Sequence, residues 1–172
     1  MTLVLLIGGA RSGKSRLALE RAAQKARPVC FIATGQALDA EMTDRIERHR
    51  AERPAAWTTL EEPVELERAL AGAPEDATAI VDCLSLWVAN LFEAGWADAE
   101  VEAEAAGAAC VAAGRRTIAV SNEVGLGVVP ATPLGRRYRD VLGRVNASWA
   151  DAAADAYLVV AGRALRLDRL DG

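Results

Sequence analysis

Short apolar runs recur along the chain, and stretches with helical periodicity separate them. The runs predict strands at residues 3–7, 29–33, 79–82, 117–121 and 157–161. Strands that alternate with helices indicate a mainly parallel sheet, because every parallel pair needs a crossover connection. A last run, at residues 164–168, alternates apolar and polar positions just after Gly162, which predicts an antiparallel edge strand in a hairpin. The pattern therefore predicts a doubly wound α/β fold.

Helices are predicted between these strands, at residues 17–24, 39–53, 84–92 and 98–113, and a further helix is expected to begin at Pro133. The segment 98–113 is rich in Ala and Glu, so we expect it to fill space rather than to form a site. No repeat and no Pro- or Ser-rich linker divides the sequence. With 172 residues and 52% hydrophobic residues, the chain is expected to form one domain, residues 1–172.

Composition narrows the expected partners. The net charge of -4 argues against nucleic-acid binding, which usually requires a basic surface. The three cysteines form no C-x-x-C pair, so we expect reduced and mostly buried thiols and no zinc site. The first apolar run is too short to cross a membrane, so no membrane insertion and a cytoplasmic location are expected.

A glycine-rich segment between the first strand and the first helix fits the pattern G-x-x-x-x-G-K-[ST]. Glycines let backbone N–H groups curl around phosphate oxygens, and the helix N-terminus adds its positive end. Lys14 is expected to reach the β- and γ-phosphates, and the Ser15 hydroxyl is expected to bind Mg²⁺. The predicted phosphate-binding residues are Gly8, Gly9, Ala10, Arg11, Ser12, Gly13, Lys14 and Ser15.

A phosphate loop also needs an acidic residue at the end of a neighbouring strand to orient the metal ion. Asp82 stands where the third apolar run stops, so we predict that it is the carboxylate of the Mg²⁺ site. The alternative is that Asp82 caps the helix 84–92, a role that Asp often takes. The two roles are compatible.

His49, the sole histidine of the sequence, lies in the predicted helix 39–53, near Met42 and Ile46 on one helix face. It has basic neighbours that form a plausible clamp for triphosphate oxygens; they are Arg45, Arg48, Arg50 and Arg53. The alternative is a boundary histidine that packs beside Met42 and Ile46. A neutral imidazole is a competent nucleophile toward phosphorus, but the spacing alone does not require that role.

The segment SNEVGLGVVP, residues 121–130, leaves the fourth predicted strand at its carboxyl end, where open α/β sheets bind ligands. Ser121, Asn122 and Glu123 are candidates to bind a substrate or to hold a metal-bound water. The alternative is a structural turn that precedes the helix at Pro133.

These motifs together resemble a known family, the bifunctional adenosylcobinamide kinase/adenosylcobinamide-phosphate guanylyltransferases of cobalamin biosynthesis. The matching segments include GGARSGKSR at 8–16, FIATG at 31–35, EMTDRIERHRAERPAAW at 41–57, VDCLSLWVANL at 81–91, SNEVGLGVVP at 121–130, RRYRDVLGRVN at 136–146 and YLVVAG at 157–162. Many folds share the phosphate loop, whereas the His49 helix together with the 121–130 loop is specific to this family.

The resemblance implies a single-domain, RecA-like P-loop fold, a homo-oligomer that is a trimer, and two reactions. In the first, ATP or GTP phosphorylates adenosylcobinamide. In the second, GMP passes from GTP to adenosylcobinamide phosphate, which gives adenosyl-GDP-cobinamide and pyrophosphate. The histidine that matches His49 carries GMP covalently.

The resemblance also implies nucleotide contacts outside the phosphate loop, at Ala33, Thr34, Gly35, Arg50, Ala51, Glu52, Arg53, Glu61 and Asp82. The chain departs from the family after Pro130, where Ala131 and Thr132 replace a frequent Glu-Asn pair, so no corrinoid contact is assigned there.

Because a phosphate loop presents the γ-phosphate for attack, guanylyl transfer is expected to need a movement of the His49 helix toward the α-phosphate. The rival interpretation is a small-molecule kinase in which His49 is structural.

Overall fold

A computed structural model describes residues 2–169, with the exception of the Arg45 side chain. In this part of the chain, strands and helices alternate along most of the sequence. Their order is β1 (Thr2–Gly8), α1 (Lys14–Ala23), β2 (Val29–Ala33), α2 (Ala40–Ala51), β3 (Thr58–Glu61), α3 (Leu66–Gly72), β4 (Thr78–Asp82), α4 (Leu84–Glu93), α5 (Asp98–Ala113), β5 (Arg116–Asn122), α6 (Pro133–Ala152), β6 (Asp155–Val160) and β7 (Arg163–Leu167).

The strands form one sheet in the order β3-β2-β4-β5-β1-β6-β7. Every neighbouring pair is parallel except β6 and β7, which are antiparallel. The predicted mainly parallel sheet with a C-terminal antiparallel edge hairpin is therefore confirmed. Strand β5 lies between β1, which leads into the phosphate loop, and β4, which ends at Asp82.

Two elements were not predicted from the sequence, the strand β3 and the helix α3. Strand β3 has four residues at the sheet edge, and its single large apolar residue, Leu60, is 38% exposed. Helix α3 has seven residues. Both are too short to produce a clear periodic pattern. Strand β2 and helix α5 have the predicted bounds, and the other predicted elements occur with shifts at their ends.

Hydrophobic residues cover both faces of the sheet, so the fold has three layers. Along β1, Leu3, Leu5 and Ile7 pack toward α3, α4, α5 and α6. The alternate residues Val4 and Leu6 pack toward α1. This period of two is what a strand buried on both faces requires.

The carboxyl ends of the central strands meet at one edge of the sheet. Ala33 at the end of β2 pairs with Glu61 on one side and with Asp82 on the other. Gly8 at the end of β1 pairs with Asn122 at the end of β5. A parallel sheet binds ligands at this edge, so the register brings the predicted site residues together.

Helix α2 begins where an aspartate caps it, one residue later than predicted. The Asp39 carboxylate accepts a hydrogen bond from the Met42 backbone N–H at 2.7 Å. This N-cap fixes the start of the helix that carries His49.

Among the helices of residues 2–169, none combines the length and apolar character needed to span a bilayer. The cysteines are free; Cys30 and Cys83 are buried, whereas Cys110 is exposed.

Candidate active site

The phosphate loop is held in shape by the C-terminal hairpin. The Gly162 backbone N–H donates to the Ser12 carbonyl oxygen at 2.7 Å. A Cβ at Gly8 would overlap the Val159 carbonyl oxygen. Gly13, directly before α1, has a φ of 100°, a conformation that glycine adopts without strain. The loop therefore depends on close packing against β6 and its turn, which the sequence did not indicate.

Lys14, the first residue of α1, is buried inside this loop. Its Nζ donates to the Gly9 carbonyl oxygen at 2.6 Å and lies 3.4 Å from the Ser12 hydroxyl oxygen. Because the ammonium group is held within the curl of the loop, it lies where the motif predicts that phosphate oxygens bind.

Asp82 connects the phosphate loop with the histidine helix. One carboxylate oxygen, Oδ1, accepts a hydrogen bond from the Ser15 hydroxyl at 3.3 Å, and the other, Oδ2, lies 3.9 Å from His49 Nδ1. The side chains of Asp82 and His49 are 12% and 35% exposed. His49 therefore lies against the carboxylate end of the phosphate site in this conformation, rather than at a distance from it.

The capping alternative for Asp82 is wrong in this structure. The N-cap of α4 is Cys83, and the cap includes no side-chain hydrogen bond. The helix begins at Leu84, as predicted, so its N-cap position falls on Cys83, and the Asp82 carboxylate instead faces Ser15 and His49.

Two cavities meet at Asp82, Cys83 and His49. The cavity over the phosphate loop has a volume of about 500 Å³, and the second has a volume of about 440 Å³. Residues 10–15 line the first cavity, together with Arg48, Glu52 and Asn122. Ala33, Gly35, Arg50, Arg53 and Glu61 line the second. Met42 and Ile46 also line the second cavity, so the predicted helix face of Met42, Ile46 and His49 is confirmed.

The arginines in and just after α2 are divided between these cavities rather than gathered in one clamp. Arg48 faces the phosphate cavity, whereas Arg50 and Arg53 face the second cavity. The Arg45 side chain lies outside the described residues. Arg50 is paired with Glu61, which also lines the second cavity. Positive charge is therefore available on both sides of His49.

Arg53 is held more tightly than its neighbours. Its guanidinium lies 3.6 Å from the centre of the Phe31 ring and donates to the Thr59 hydroxyl at 3.3 Å. Burial lowers the pKa of Arg53, and the nearby Asp82 carboxylate opposes that change. The pKa of an arginine starts far above neutral pH, so the side chain keeps its charge and presents a fixed cation to the second cavity.

Some predicted contact residues line neither cavity. Thr34 is fully buried, and its hydroxyl donates to the Cys83 carbonyl oxygen and accepts from the Cys83 N–H, both at 2.8 Å. Ala51 is exposed on α2. Gly8 and Gly9 lie at the base of the phosphate loop, outside the set of residues that line the cavity.

Asn90 on α4 was missed by the sequence analysis. Its side-chain amide donates to the carbonyl oxygens of Thr34, at 2.7 Å, and Pro63, at 3.0 Å. Asn90 therefore ties together the segments that follow β2 and β3, which form walls of the second cavity. A buried Asn in an otherwise apolar helix was the available signal, because such an amide needs partners.

The candidates after β5 have different surroundings. Ser121 is fully buried, and its hydroxyl is hydrogen-bonded to Asn146 at 2.6 Å. The Glu123 carboxylate accepts a hydrogen bond from the Gly125 N–H. Of the three candidates, Asn122 lines the phosphate cavity.

Comparison with known proteins agrees with this geometry. A family model described as cobinamide kinase / cobinamide phosphate guanyltransferase (CobU) matches residues 4–167. The chain belongs to this family.

Curated relatives of the CobU family match over most of their length. The bifunctional adenosylcobalamin biosynthesis protein CobP of Pseudomonas aeruginosa is 46% identical over an alignment of 168 residues, which covers 92% of this chain and 92% of the relative. The bifunctional adenosylcobalamin biosynthesis protein CobU of Salmonella typhimurium is 39% identical, and CobU of Escherichia coli is 36% identical. Both alignments cover 96% of this chain and 99% of the relative. A crystal structure of the flagellar accessory protein FlaH from Methanocaldococcus jannaschii is 16% identical, covering 95% of this chain and 74% of that one. The TM-score of this match is 0.49.

Proposed function

We propose that this CobU-family chain catalyses two reactions in sequence at one site. It phosphorylates adenosylcobinamide with ATP or GTP, and it then transfers GMP from GTP to adenosylcobinamide phosphate through a covalent bond to His49. The observation that supports both reactions in one site is the position of His49. Its imidazole lies 3.9 Å from Asp82 and lines both the phosphate cavity and the second cavity.

In the kinase step, the hydroxyl of adenosylcobinamide attacks the γ-phosphorus, and the nucleoside diphosphate leaves. Lys14 and the backbone N–H groups of the loop neutralise negative charge on the phosphates as the bond to the leaving group breaks. Because Lys14 is held within the loop before substrate binds, little reorganisation is needed during the reaction.

The residues around Asp82 fit a bound Mg²⁺. Magnesium binds through one or two protein oxygen atoms together with phosphate oxygens and water, rather than in a cage of protein ligands. The Ser15 hydroxyl and the Asp82 carboxylate supply such oxygens, 3.3 Å apart, beside the phosphate loop. Residues 2–169 contain no group of three or more His, Cys, Asp or Glu side chains that would form a cage. A bound Mg²⁺ would neutralise phosphate charge at this position.

In the guanylyl step, His49 attacks the α-phosphorus of GTP while its imidazole is neutral. A phosphorus–nitrogen bond forms, and the bond to the pyrophosphate oxygen breaks. A phosphate oxygen of adenosylcobinamide phosphate then attacks the same phosphorus, and the imidazole leaves. Asp82 orients the ring, because its Oδ2 faces Nδ1 and thereby favours a proton on Nδ1. We therefore assign the nucleophile to Nε2.

The arginines in and just after α2 would neutralise charge that develops on both sides of His49 during this step. Arg48 faces the phosphate cavity and Arg53 faces the second cavity, so each end of a triphosphate bound across His49 would meet a cation.

The proposal also includes a homo-oligomer, a trimer, and a location in the cytoplasm, where nucleoside triphosphates are available. Light scattering coupled to gel filtration tests the oligomer.

Product analysis tests the proposed function. The protein is incubated with adenosylcobinamide, Mg²⁺ and GTP, and the corrinoid products are separated and weighed by mass spectrometry. We expect a phosphorylated corrinoid that is then converted to a GDP-linked corrinoid, with release of pyrophosphate. A phosphorylated corrinoid as the final product would support the rival kinase, and an unchanged corrinoid would contradict both functions.

A further inference from the structure

We propose that the Asn122 side chain contacts the transferred phosphoryl group, and that it is a catalytic residue of the kinase step. This inference rests on the proposed kinase activity and adds a residue to it. The amide Nδ2 donates to a γ-phosphoryl oxygen in the phosphate cavity, which Asn122 lines.

The order of the strands places Asn122 beside the phosphate loop. Strand β5 lies between β1 and β4, so its carboxyl end lies between the phosphate loop and Asp82. Asn122 is the last residue of β5 and pairs directly with Gly8, the first residue of the loop. It lines the phosphate cavity together with Lys14, Ser15 and Asp82.

Hydrogen bonds fix the backbone of Asn122 from both sides. Its carbonyl oxygen accepts from the Asn146 amide at 3.0 Å, and the next residue, Glu123, donates its N–H to the Gly8 carbonyl oxygen at 3.1 Å. Asn146 is itself buried in α6 and bonded to Ser121. The Asn122 side chain is therefore presented from a rigid element, as a group that stabilises a transition state requires.

The chemistry of an amide suits this position. An amide carries two N–H donors and no charge, so it binds phosphoryl oxygens without competing for the cations of the loop. The neighbouring polar side chains are not equivalent, because the Ser121 hydroxyl is buried against Asn146 and the Glu123 carboxylate binds the Gly125 N–H. A carboxylate in place of the amide would repel the phosphoryl oxygens.

Steady-state kinetics of the variants Asn122→Ala and Asn122→Asp test the proposal. Removal of one donor to a transition-state oxygen typically lowers kcat by about 100-fold. We expect a loss of that order in adenosylcobinamide phosphorylation by Asn122→Ala, with the KM of the nucleotide changed less than about threefold, and a larger loss by Asn122→Asp. In Asn122→Ala, guanylyl transfer to adenosylcobinamide phosphate that is supplied directly should fall less than phosphorylation does, because its bonds form and break at the α-phosphorus.

Gln24→Glu is the matched control, since it makes the same amide-to-carboxylate change at an exposed residue beyond the far end of α1. It should retain the parental kinetics. Kinase turnover of both Asn122 variants within about threefold of the parent would overturn the proposal, and so would a rise in nucleotide KM without loss of kcat. A parent that fails to phosphorylate adenosylcobinamide would contradict the proposed function itself.

Binding of a transition-state analogue gives a readout that does not need the corrinoid. Aluminium fluoride with MgADP mimics a phosphoryl group in transfer, whereas the β,γ-imido analogue of ATP mimics the ground state. We expect the parent to bind MgADP–aluminium fluoride more tightly than the imido analogue, and Asn122→Ala to lose this difference while binding the imido analogue normally. An equal difference in parent and variant, or none in the parent, would overturn the assignment.

Discussion

Replacement of Asp82 by asparagine removes one charge from the point where the two cavities meet. The Ser15 hydroxyl donates to Asp82 Oδ1 at 3.3 Å, and His49 Nδ1 lies 3.9 Å from Oδ2. A hydrogen bond to a charged group contributes about 1.5–3 kcal/mol, and about 1.4 kcal/mol corresponds to a tenfold change in rate. We therefore expect the Asp82→Asn variant to lose about 10- to 100-fold in kinase kcat/KM and to need more Mg²⁺ for half-maximal rate.

The assay is a Mg²⁺ titration of kinase turnover at saturating nucleotide, together with a thermal unfolding scan. Because asparagine keeps the shape of the side chain and the N-cap of α4 is Cys83, Asp82→Asn should keep the parental Tm within about 4 °C. Parental rates at every Mg²⁺ concentration would refute the metal role of Asp82.

Three further predictions concern the loop and the histidine. Lys14→Ala should depress both reactions by about 100-fold or more while the fold survives, and turnover within a fewfold of the parent with either substrate would contradict the assignment of the loop. Gly8→Ala should lower the free energy of unfolding by about 1–3 kcal/mol, because its Cβ would meet the Val159 carbonyl oxygen. Gly9→Ala should not lower it, because the space around Gly9 is open. Equal thermal stability of the two variants would contradict the close packing of the loop against β6. Two-dimensional phosphorus–nitrogen–proton NMR of the trapped adduct should place GMP on Nε2 of His49, and a link to Nδ1 would refute the orienting role of Asp82.

Sequence patterns predicted those features that depend on neighbouring residues. The phosphate loop, the end of β4 at Asp82 and the hairpin after Gly162 each follow from a contiguous motif, so the fold class could be predicted from them. The face shared by Met42, Ile46 and His49 follows from helical spacing.

Features that depend on tertiary packing could not be predicted in the same way. Neighbouring arginines of α2 point into different cavities, because a helix turns by about 100° per residue and the cavities lie on two of its sides. The bonds of Asn90 to Thr34 and Pro63 join residues that are far apart in sequence. Thr34 lies inside a matching motif, yet its hydroxyl holds the turn at Cys83 rather than facing a cavity.

The central claim is that His49 carries GMP, and retention of label from GTP tests it directly. The parent and His49→Ala are incubated with GTP that is labelled in the α-phosphate, denatured, and digested for peptide mapping. In the parent, we predict acid-labile, alkali-stable label on a peptide of α2. In His49→Ala, we predict no label and no guanylyl transfer, whereas its kinase turnover should survive. Label together with normal guanylyl transfer in His49→Ala would contradict the claim and leave His49 as a packing residue beside Met42 and Ile46.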